Sequence, residues 1–354
     1  MSTSRPSEID VEVDTPPPNR RRLFMALVAA LLSLLLVGAE LLARVHYEGR
    51  FPTSTVYHPL RGHAHRPNWS GLEGKARRAV TARFNKLGLR ADREFERRFA
   101  GRRVLVLGDS VVFGYRLAKA DTIPTRLESA LAADGGSWQT MNVGCYGYGL
   151  PDARAWLEEL APRFSVDLVL LCVCYNDFGQ PLTRPGPAPA ALTQALTDHC
   201  ALFLAIVRKR RQLQRSVESL RRGTPSDAQI RNMFRVDHAE AEGASKRLLE
   251  ETLIIERLAK SMGARLAVVL WSGQDQFEAY QASGALPPEQ LSFARMLKAS
   301  APSVRLLQPL PALAEHGESD RLFMDHCHPS SEGVRRLTPL LVELTRATLG
   351  PSSK

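Results

Sequence analysis

Five short apolar runs, separated by helical segments, decide which folds are open to this chain. The strand-like runs are residues 104–107, 139–143, 168–174, 265–271 and 304–307. Helical segments fall near residues 121–134, 150–162, 287–299 and 331–348, and Pro151 suits the first turn of the second one. Because strands that alternate with helices form parallel sheets, the pattern predicts an α/β domain with a five-stranded parallel sheet covered on both faces.

The connection between the third and fourth runs, at about residues 178–264, is much longer than the others. It contains a proline-rich stretch at residues 185–189, a basic stretch at residues 208–211 and a well-patterned helix at about residues 239–262. An insertion of this size often forms a lid or a specificity wall over a site. Two surface helices packed beside the sheet are the alternative, and the sequence leaves both interpretations open.

An uncharged, strongly apolar segment at residues 23–39 lies near the N-terminus, and with the next turn it extends to residue 43. As a helix it is long enough to cross a hydrocarbon core of about 30 Å. Arg20, Arg21 and Arg22 precede it directly, which favours a cytoplasmic N-terminus. We therefore expect a single-pass inner-membrane protein with a periplasmic catalytic domain. A cleaved signal peptide is the alternative, and the long segment before the apolar stretch counts against it.

The remaining divisions of the chain follow from composition. Residues 1–22 are expected to form a disordered cytoplasmic tail, and residues 44–100 a juxtamembrane linker and cap segment. Residues 101–350 are expected to form the main domain. Within the cap segment, the run from Arg83 to Arg90 predicts a turn or hairpin cap rather than a core element.

The chain of 354 residues has a formal net charge of +10, which bears on the partners it can bind. Most of it is expected to be arginine on solvated helices, with some affinity for anionic surfaces such as lipid head groups or acidic glycans. The sequence contains no zinc-finger spacing, no RNP-like aromatic cluster and no Gly-Lys-Thr phosphate loop. Nucleic acids and nucleotides are therefore not expected as partners.

The five cysteines are an odd number for a chain expected in an oxidising compartment: Cys145, Cys172, Cys174, Cys200 and Cys327. Cys172 and Cys174 share one face of a predicted strand, so they are not expected to pair with each other. Cys145, Cys174 and Cys327 fall in candidate site segments. They predict either a disulfide that braces the site or, the interpretation we favour, small buried residues. A metal site is not expected, because no Cys-x-x-Cys pair occurs.

The motif Gly108-Asp109-Ser110 directly follows the first strand-like run and delivers a serine to a sharp turn. Serine is a weak nucleophile until a base removes its proton, and His328 is the best candidate base. Asp325 lies one turn before it, so its carboxylate can accept a hydrogen bond from Nδ1 and leave Nε2 facing Ser110. Asp109 is expected to play a supporting role by hydrogen-bonding backbone amides of the turn.

Four other histidines are alternative bases: His199, His238, His316 and His326. His199 and His238 lie on or near helices of the insertion, where a surface role is expected. His326 alternates with His328 and would face the other way in an extended loop.

Three hydrogen-bond donors are candidates for an oxyanion hole: the backbone N–H of Ser110, the backbone N–H of Gly147 and the side-chain amide of Asn176. Gly147 and Asn176 each come shortly after a strand-like run, where ligands of open α/β sheets bind. Glycine suits a position where the substrate must approach the protein backbone closely. Gly144 and Gly149 are near enough in sequence to be alternatives.

In this order the motifs resemble those of the SGNH (GDSL) hydrolases, which are named for the Ser, Gly, Asn and His of four sequence blocks. The residues that correspond to the blocks are Ser110, Gly147 (five residues after Asn142), Asn176, and His328 with Asp325. The resemblance spans about residues 100–348. It implies a flavodoxin-like three-layer α/β/α sandwich, hydrolysis of an ester or thioester through an acyl-enzyme, and no cofactor.

The membrane-anchored bacterial branch of that family is the most similar, because an N-terminal helix and an Asn-x-x-Gly-x-Arg segment like residues 85–90 recur in it. One departure stands out. The third block usually reads Gly-x-Asn-Asp, and Cys174 replaces its glycine here. The small side chain is expected to preserve the backbone and to alter the acyl pocket.

These observations predict a membrane-anchored SGNH serine esterase that acts on an O-acetyl or other short-chain acyl ester. By compartment and family analogy, the expected partner is a cell-envelope polysaccharide. An O-acyltransferase that passes the acyl group to a polysaccharide hydroxyl is the closest alternative. A non-catalytic glycan-binding or assembly protein on the same fold is the third, and the intact Ser110, Asp325 and His328 argue against it.

Overall fold

The computed structural model describes residues 20–74, 79–179, 189, 191–223, 236, 239–315 and 317–350. Most of the predicted tail (residues 1–19), His238 and His316 lie outside the described residues. The strands are β1 (Thr55–His58), β2 (Gly62–His65), β3 (Ser70–Glu73), β4 (Val80–Arg83), β5 (Arg102–Gly108), β6 (Trp138–Gly144), β7 (Leu168–Cys174), β8 (Arg265–Trp271) and β9 (Arg305–Leu307).

Apart from the first, the helices follow strands β5 to β9 along the chain, some of them within the insertion between β7 and β8. They are α1 (Arg20–His46), α2 (Ser110–Phe113), α3 (Ile123–Ala132), α4 (Leu150–Leu160), α5 (Tyr175–Gly179), α6 (Ala191–His199), α7 (Ala201–Arg222), α8 (Ala241–Ser261), α9 (Gln274–Ser283), α10 (Pro288–Ser300), α11 (Leu310–Ala314), α12 (Ser319–Leu322) and α13 (Ser331–Leu349).

The central sheet contains five parallel strands in the order β6-β5-β7-β8-β9. Each of the five predicted strands is confirmed, with ends that differ by at most two residues. The chain runs from β5 outward to β6, then passes over β5 to reach β7. Strand β5 therefore lies where the strand order reverses, and open α/β sheets bind their ligands at the carboxyl ends of the strands at that point.

Helices cover both faces of the sheet, which gives the predicted flavodoxin-like three-layer α/β/α sandwich. Leu105 and Leu107 of β5 pack into the core beneath α4, α8 and α10. Val104 and Val106, which alternate with them, pack into the core beneath α3 and α13 on the other face. Strands buried on both faces have continuous apolar sequences, and this burial explains why the strands could be recognised from the sequence.

Helix α8, the long helix of the insertion, packs against α4 and α10 as part of one helical layer. This placement agrees with the prediction of surface helices beside the sheet. Helices α6 and α7 lie instead near the C-terminal end of α1. There the Glu40 carboxylate accepts hydrogen bonds from the backbone N–H groups of Ala201 (3.0 Å) and Leu202 (2.8 Å). The Arg44 guanidinium donates to the carbonyl oxygen of His199 at 2.8 Å.

The turn at residues 83–90 corrects one prediction, because it is part of the core. Phe84 and Leu89 are 1% and 0% exposed. Asn85 Oδ1 accepts hydrogen bonds from two backbone N–H groups of the turn, each at 3.0 Å. The buried Arg90 guanidinium donates to three backbone carbonyl oxygens in and just after α2. Polar side chains that satisfy backbone groups internally allow a turn rich in polar residues to be buried.

Helix α1 has no buried residue, although residues 38–40 and 43 are half-buried, and within the described part of the chain it is the one helix long and apolar enough to cross a membrane. By length and composition it fits either a membrane span or a signal sequence. It begins at Arg20 and ends at His46, so it includes the basic residues that precede the predicted span.

Candidate active site

The turn that follows β5 presents Ser110 at the carboxyl edge of the sheet. Gly108 closes the strand where space is tight, since a Cβ there would lie 2.7 Å from a side-chain carbon of Val112. Helix α2 begins at once, and Asp109 Oδ1 caps it by accepting a hydrogen bond of 2.8 Å from the second N–H of the turn. Gly114 ends the helix with a left-handed φ of 82°. This sharp reversal leaves the Ser110 hydroxyl at the surface of a buried framework.

Ser110, His328 and Asp325 form a hydrogen-bonded chain. His328 Nε2 lies 2.9 Å from Ser110 Oγ, and His328 Nδ1 lies 2.8 Å from Asp325 Oδ1. Asp325 Oδ1 also accepts from the backbone N–H of His328 at 2.9 Å. The carboxylate thus fixes the tautomer with the proton on Nδ1 and leaves Nε2 free to accept the serine proton.

The loop that carries His328 is held from both sides. The Trp271 indole N–H donates to the carbonyl oxygen of Cys327 at 2.8 Å, and the Met324 N–H donates to the carbonyl oxygen of His328 at the same distance. Ser330 Oγ accepts from the Gly333 N–H at 3.0 Å and so caps α13. The C-terminal helix therefore anchors the histidine against the sheet.

The electrostatic surroundings keep Asp325 ionised. Burial alone would raise the pKa of Asp325, but hydrogen bonds from the side chain and backbone of His328 and from the backbone of Cys327 outweigh it and hold the pKa well below its usual value. The other carboxylate oxygen, Oδ2, faces Arg116 Nη1 at 3.7 Å. Sequence reasoning did not single out Arg116.

Arg116 has an unusual conformation beside the site. Its φ is 59°, a left-handed value that few residues other than glycine adopt. Its guanidinium lies over the ring of Tyr115 at 4.7 Å, and that ring lies 4.6 Å from the ring of His328. Arg116 and Tyr115 follow the glycine that ends α2, so their place beside His328 depends on tertiary packing rather than on a readable motif.

The three candidate oxyanion donors follow adjacent strands. Gly147 comes three residues after β6, and Asn176 comes two residues after β7, on either side of the strand that carries Ser110. Gly147 has φ of 64°, and a Cβ there would meet open space. Within the described residues, the N–H groups of Ser110 and Gly147 have no hydrogen-bond acceptor. The Asn176 side chain hydrogen-bonds to Asp109, which orients its amide.

Two buried carboxyl groups and a thiol lie beneath the site. Cys174 Sγ donates to Asp109 Oδ1 at 3.1 Å, and Asp177 Oδ2 accepts from the Cys174 N–H at 2.8 Å. Asp177 Oδ1 is buried and has no partner within the described part of the chain. Burial raises the pKa of Asp177 well above its ordinary value, and the nearby charge of Asp109 raises it further. A protonated Asp177 is the form that fits this surrounding.

All five cysteines are free thiols, so the disulfide considered from the sequence is not formed. Cys145 and Cys174 are buried, in agreement with the interpretation favoured from the sequence, and Cys327 is half-buried. Ligand atoms of Asp325, His326 and Cys327 lie within 4.8 Å of one another, which is close enough for a metal ion. Asp325 is already engaged by His328, and burial raises the pKa of the Cys327 thiol, so this set is poorly suited to hold one.

The other histidines within the described residues do not contact Ser110. His199 ends α6 beside α1, where its carbonyl oxygen accepts from Arg44. The carbonyl oxygen of His326 accepts from the Gln274 N–H at 2.9 Å. Of the candidate bases that the structure describes, His328 is the one that reaches the serine.

Comparison with known proteins gives one family match. The chain matches the model of the GDSL-like lipase/acylhydrolase family over residues 106–336. That range covers more than half of the chain and contains Ser110, Gly147, Asn176, Asp325 and His328. No curated protein matches the chain in a sequence search.

Solved structures with similar folds include a member of the lipolytic protein G-D-S-L family from Veillonella parvula, at 13% identity and a TM-score of 0.41, covering 69% of this chain and 97% of that one. Another is the lipase/acylhydrolase from Enterococcus faecalis, at 14% identity and a TM-score of 0.40, covering 72% and 100%. At such values these likenesses add nothing to the assignment, which rests on the family model. The chain belongs to the GDSL-like lipase/acylhydrolase family and is an ester hydrolase of that family.

Proposed function

We propose that this protein is a serine esterase that cleaves an O-acyl ester through an acyl-enzyme formed on Ser110. The observation that carries the proposal is the hydrogen-bonded chain from Ser110 Oγ through His328 to Asp325, with distances of 2.9 and 2.8 Å. Both distances lie within the range needed for proton transfer between a nucleophile and its base.

In the first half of the reaction, His328 Nε2 takes the Ser110 proton as Oγ attacks the ester carbonyl carbon. Asp325 stabilises the imidazolium that results. The carbon–oxygen bond to the alcohol then breaks, and His328 returns the proton to the leaving oxygen. In the second half, His328 deprotonates a water molecule as it attacks the carbonyl carbon of the acyl-serine. The bond from that carbon to Ser110 Oγ then breaks, His328 returns the proton to Oγ, and the carboxylic acid is released.

The carbonyl oxygen becomes negative during both attacks, and the donors after β5, β6 and β7 suit this charge. Two of them, the N–H groups of Ser110 and Gly147, have no acceptor within the described residues. The third, the Asn176 amide, is oriented by Asp109. Donors fixed before the reaction lower the barrier because they need no reorganisation when charge develops.

The compartment and the substrate class form the finer part of the proposal. Helix α1 would anchor the protein in the inner membrane with Arg20, Arg21 and Arg22 on the cytoplasmic side, and the hydrolase domain would then lie in the periplasm. The substrate would then be an O-acetyl or other short acyl ester of a cell-envelope polysaccharide. Tyr115 supports a sugar on the alcohol side, since it offers an aromatic surface beside His328.

Acetate release from O-acetylated and chemically deacetylated envelope polysaccharide tests the substrate class. The full chain in detergent micelles is expected to release acetate from the acetylated polymer and to hydrolyse p-nitrophenyl acetate faster than the octanoate. Faster hydrolysis of octanoate, with no acetate released from any polysaccharide, would contradict the short-chain glycan ester while leaving the esterase chemistry intact. Protease accessibility of the domain in spheroplasts tests the compartment.

A further inference from the structure

A groove lies between the end of α1 and the first half of α7, far in sequence from the site around Ser110. Its volume is about 480 Å³, and its lining includes His46 and Tyr47 from the end of α1 and Ile206, Arg208 and Lys209 from α7. The proposed esterase reaction makes no use of it.

The charged side chains of the groove are basic. The Arg208 guanidinium lies over the Tyr47 ring at 4.9 Å, and Lys209 lines the groove beside it. Arg210 and Arg211 continue the basic run. No carboxylate lines the groove in the part of the chain that the structure describes. The groove therefore attracts an anion, and a planar guanidinium above an aromatic ring is well placed to bind a phosphate.

The position of the groove along α1 indicates where that anion comes from. The apolar stretch of α1 ends at residue 43, and the groove begins three residues later. Glu40 fixes α7 at this height by accepting hydrogen bonds from the backbone N–H groups of Ala201 and Leu202. If α1 spans the bilayer, the groove lies at the level of the lipid head groups, where tyrosine rings collect and where basic side chains near a helix end reach the interface.

Apolar side chains beside the groove complete a surface suited to a lipid. Ile206 on α7 lines the groove and is 57% exposed, and Val45, the residue of α1 before the groove lining, is 72% exposed, although both are large and apolar. A phosphate group near Arg208 and Lys209 would leave acyl chains next to these side chains. A free phosphate or a nucleotide would gain nothing from them.

We infer that the groove between α1 and α7 binds the head group of an anionic phospholipid of the leaflet that α7 faces, with the phosphate held by Arg208 and Lys209. This inference rests on the proposed membrane anchoring by α1. Such a contact would tie the base of the hydrolase domain to the membrane surface, since α7 is joined to α1 on one side and to the lipid on the other.

Native mass spectrometry of the full chain in neutral detergent, titrated with dioleoyl phosphatidylglycerol or dioleoyl phosphatidylcholine, tests the inference. Phosphatidylglycerol is expected to bind with one saturable site, and the double variant R208Q/K209Q to bind it about tenfold more weakly or worse. The matched control R215Q/R221Q removes the same charge from the outer part of α7 and should bind as the parent does. A large excess of inorganic phosphate should not displace the lipid.

Equal binding of the two lipids, equal weakening by the control variant, or displacement by inorganic phosphate would each overturn the inference. Alkaline carbonate extraction of cell membranes tests the anchoring by α1 separately from the binding of lipid in the groove. The parent and both double variants are expected to stay in the membrane pellet. Extraction of the parent would refute anchoring by α1, whatever the lipid titration shows.

Discussion

The Cys174 thiol donates a hydrogen bond to Asp109 Oδ1 at 3.1 Å, directly beneath the turn that carries Ser110. Cys174 stands where the third block of the family usually has glycine, and the sequence predicted that it would alter the acyl pocket. Its side chain is only 1% exposed, so it supports the turn from below and does not line the surface that a substrate meets.

Replacement of Cys174 by alanine should therefore affect stability more than catalysis. Loss of the buried bond to Asp109 is expected to lower the free energy of unfolding by about 1 kcal/mol. Urea unfolding of C174A beside C174S measures this, because the serine hydroxyl keeps a donor at the same place. The kcat of both variants on p-nitrophenyl acetate should stay close to that of the parent. A large loss of kcat in a C174A protein of unchanged stability would contradict this role.

Asp325→Asn should impair the reaction severely without unfolding the protein. The amide cannot hold His328 with its proton on Nδ1, so kcat is expected to fall by roughly 10²–10⁴. D320N is the matched control, since Asp320 is exposed on α12 close in sequence. The pKa of Asp325 is held below its usual value. Any loss of the parent's activity at mildly acidic pH should therefore not come from protonation of Asp325. Parent-like kcat in D325N would exclude the orienting role.

Arg116→Gln should also lower the activity, but by less than Asp325→Asn does. Arg116 Nη1 lies 3.7 Å from Asp325 Oδ2, so it positions the carboxylate through charge and does not touch the reacting atoms. We expect kcat/KM to fall by about three- to tenfold, with a weaker dependence on salt than in the parent. K119Q, which removes an exposed charge paired with Asp92, is the control. Equal effects of the two substitutions would mean that Arg116 acts only through net charge.

Asp177→Asn should make stability less sensitive to alkaline pH. Burial raises the pKa of Asp177, so the folded state binds this proton more tightly than the unfolded state does. The stability that results is present at low pH and is lost as the pH rises above the unfolded pKa towards the folded one. In thermal unfolding, the stability of D177N relative to that of the parent should therefore increase between pH 5 and pH 9. A difference in stability between D177N and the parent that stays constant over this range would show that Asp177 is ionised in the folded protein.

The sheet and its helices were predictable because each strand is buried on both faces and reads as a continuous apolar run. The chain of Ser110, His328 and Asp325 was predictable because its members lie in two short motifs, one at the end of β5 and one in the loop before α13. Arg116 was not, since its contact with Asp325 joins residues 209 positions apart in sequence through a left-handed turn. The buried turn at residues 83–90 was misjudged because polar residues such as Asn85 and Arg90 satisfy hydrogen bonds inside the protein, which composition alone does not reveal.

Covalent labelling of Ser110 tests the central claim most directly. The full chain is incubated with a p-nitrophenyl alkylphosphonate, digested and analysed by tandem mass spectrometry. We expect one phosphonyl group per chain, located on Ser110, with labelling lost in S110A and slowed at least about a hundredfold in H328A. Ser129, a helical serine whose hydroxyl donates to the carbonyl oxygen of Thr125, should remain unmodified. A label on another residue, or equal labelling of parent and H328A, would contradict the proposed nucleophile and its base.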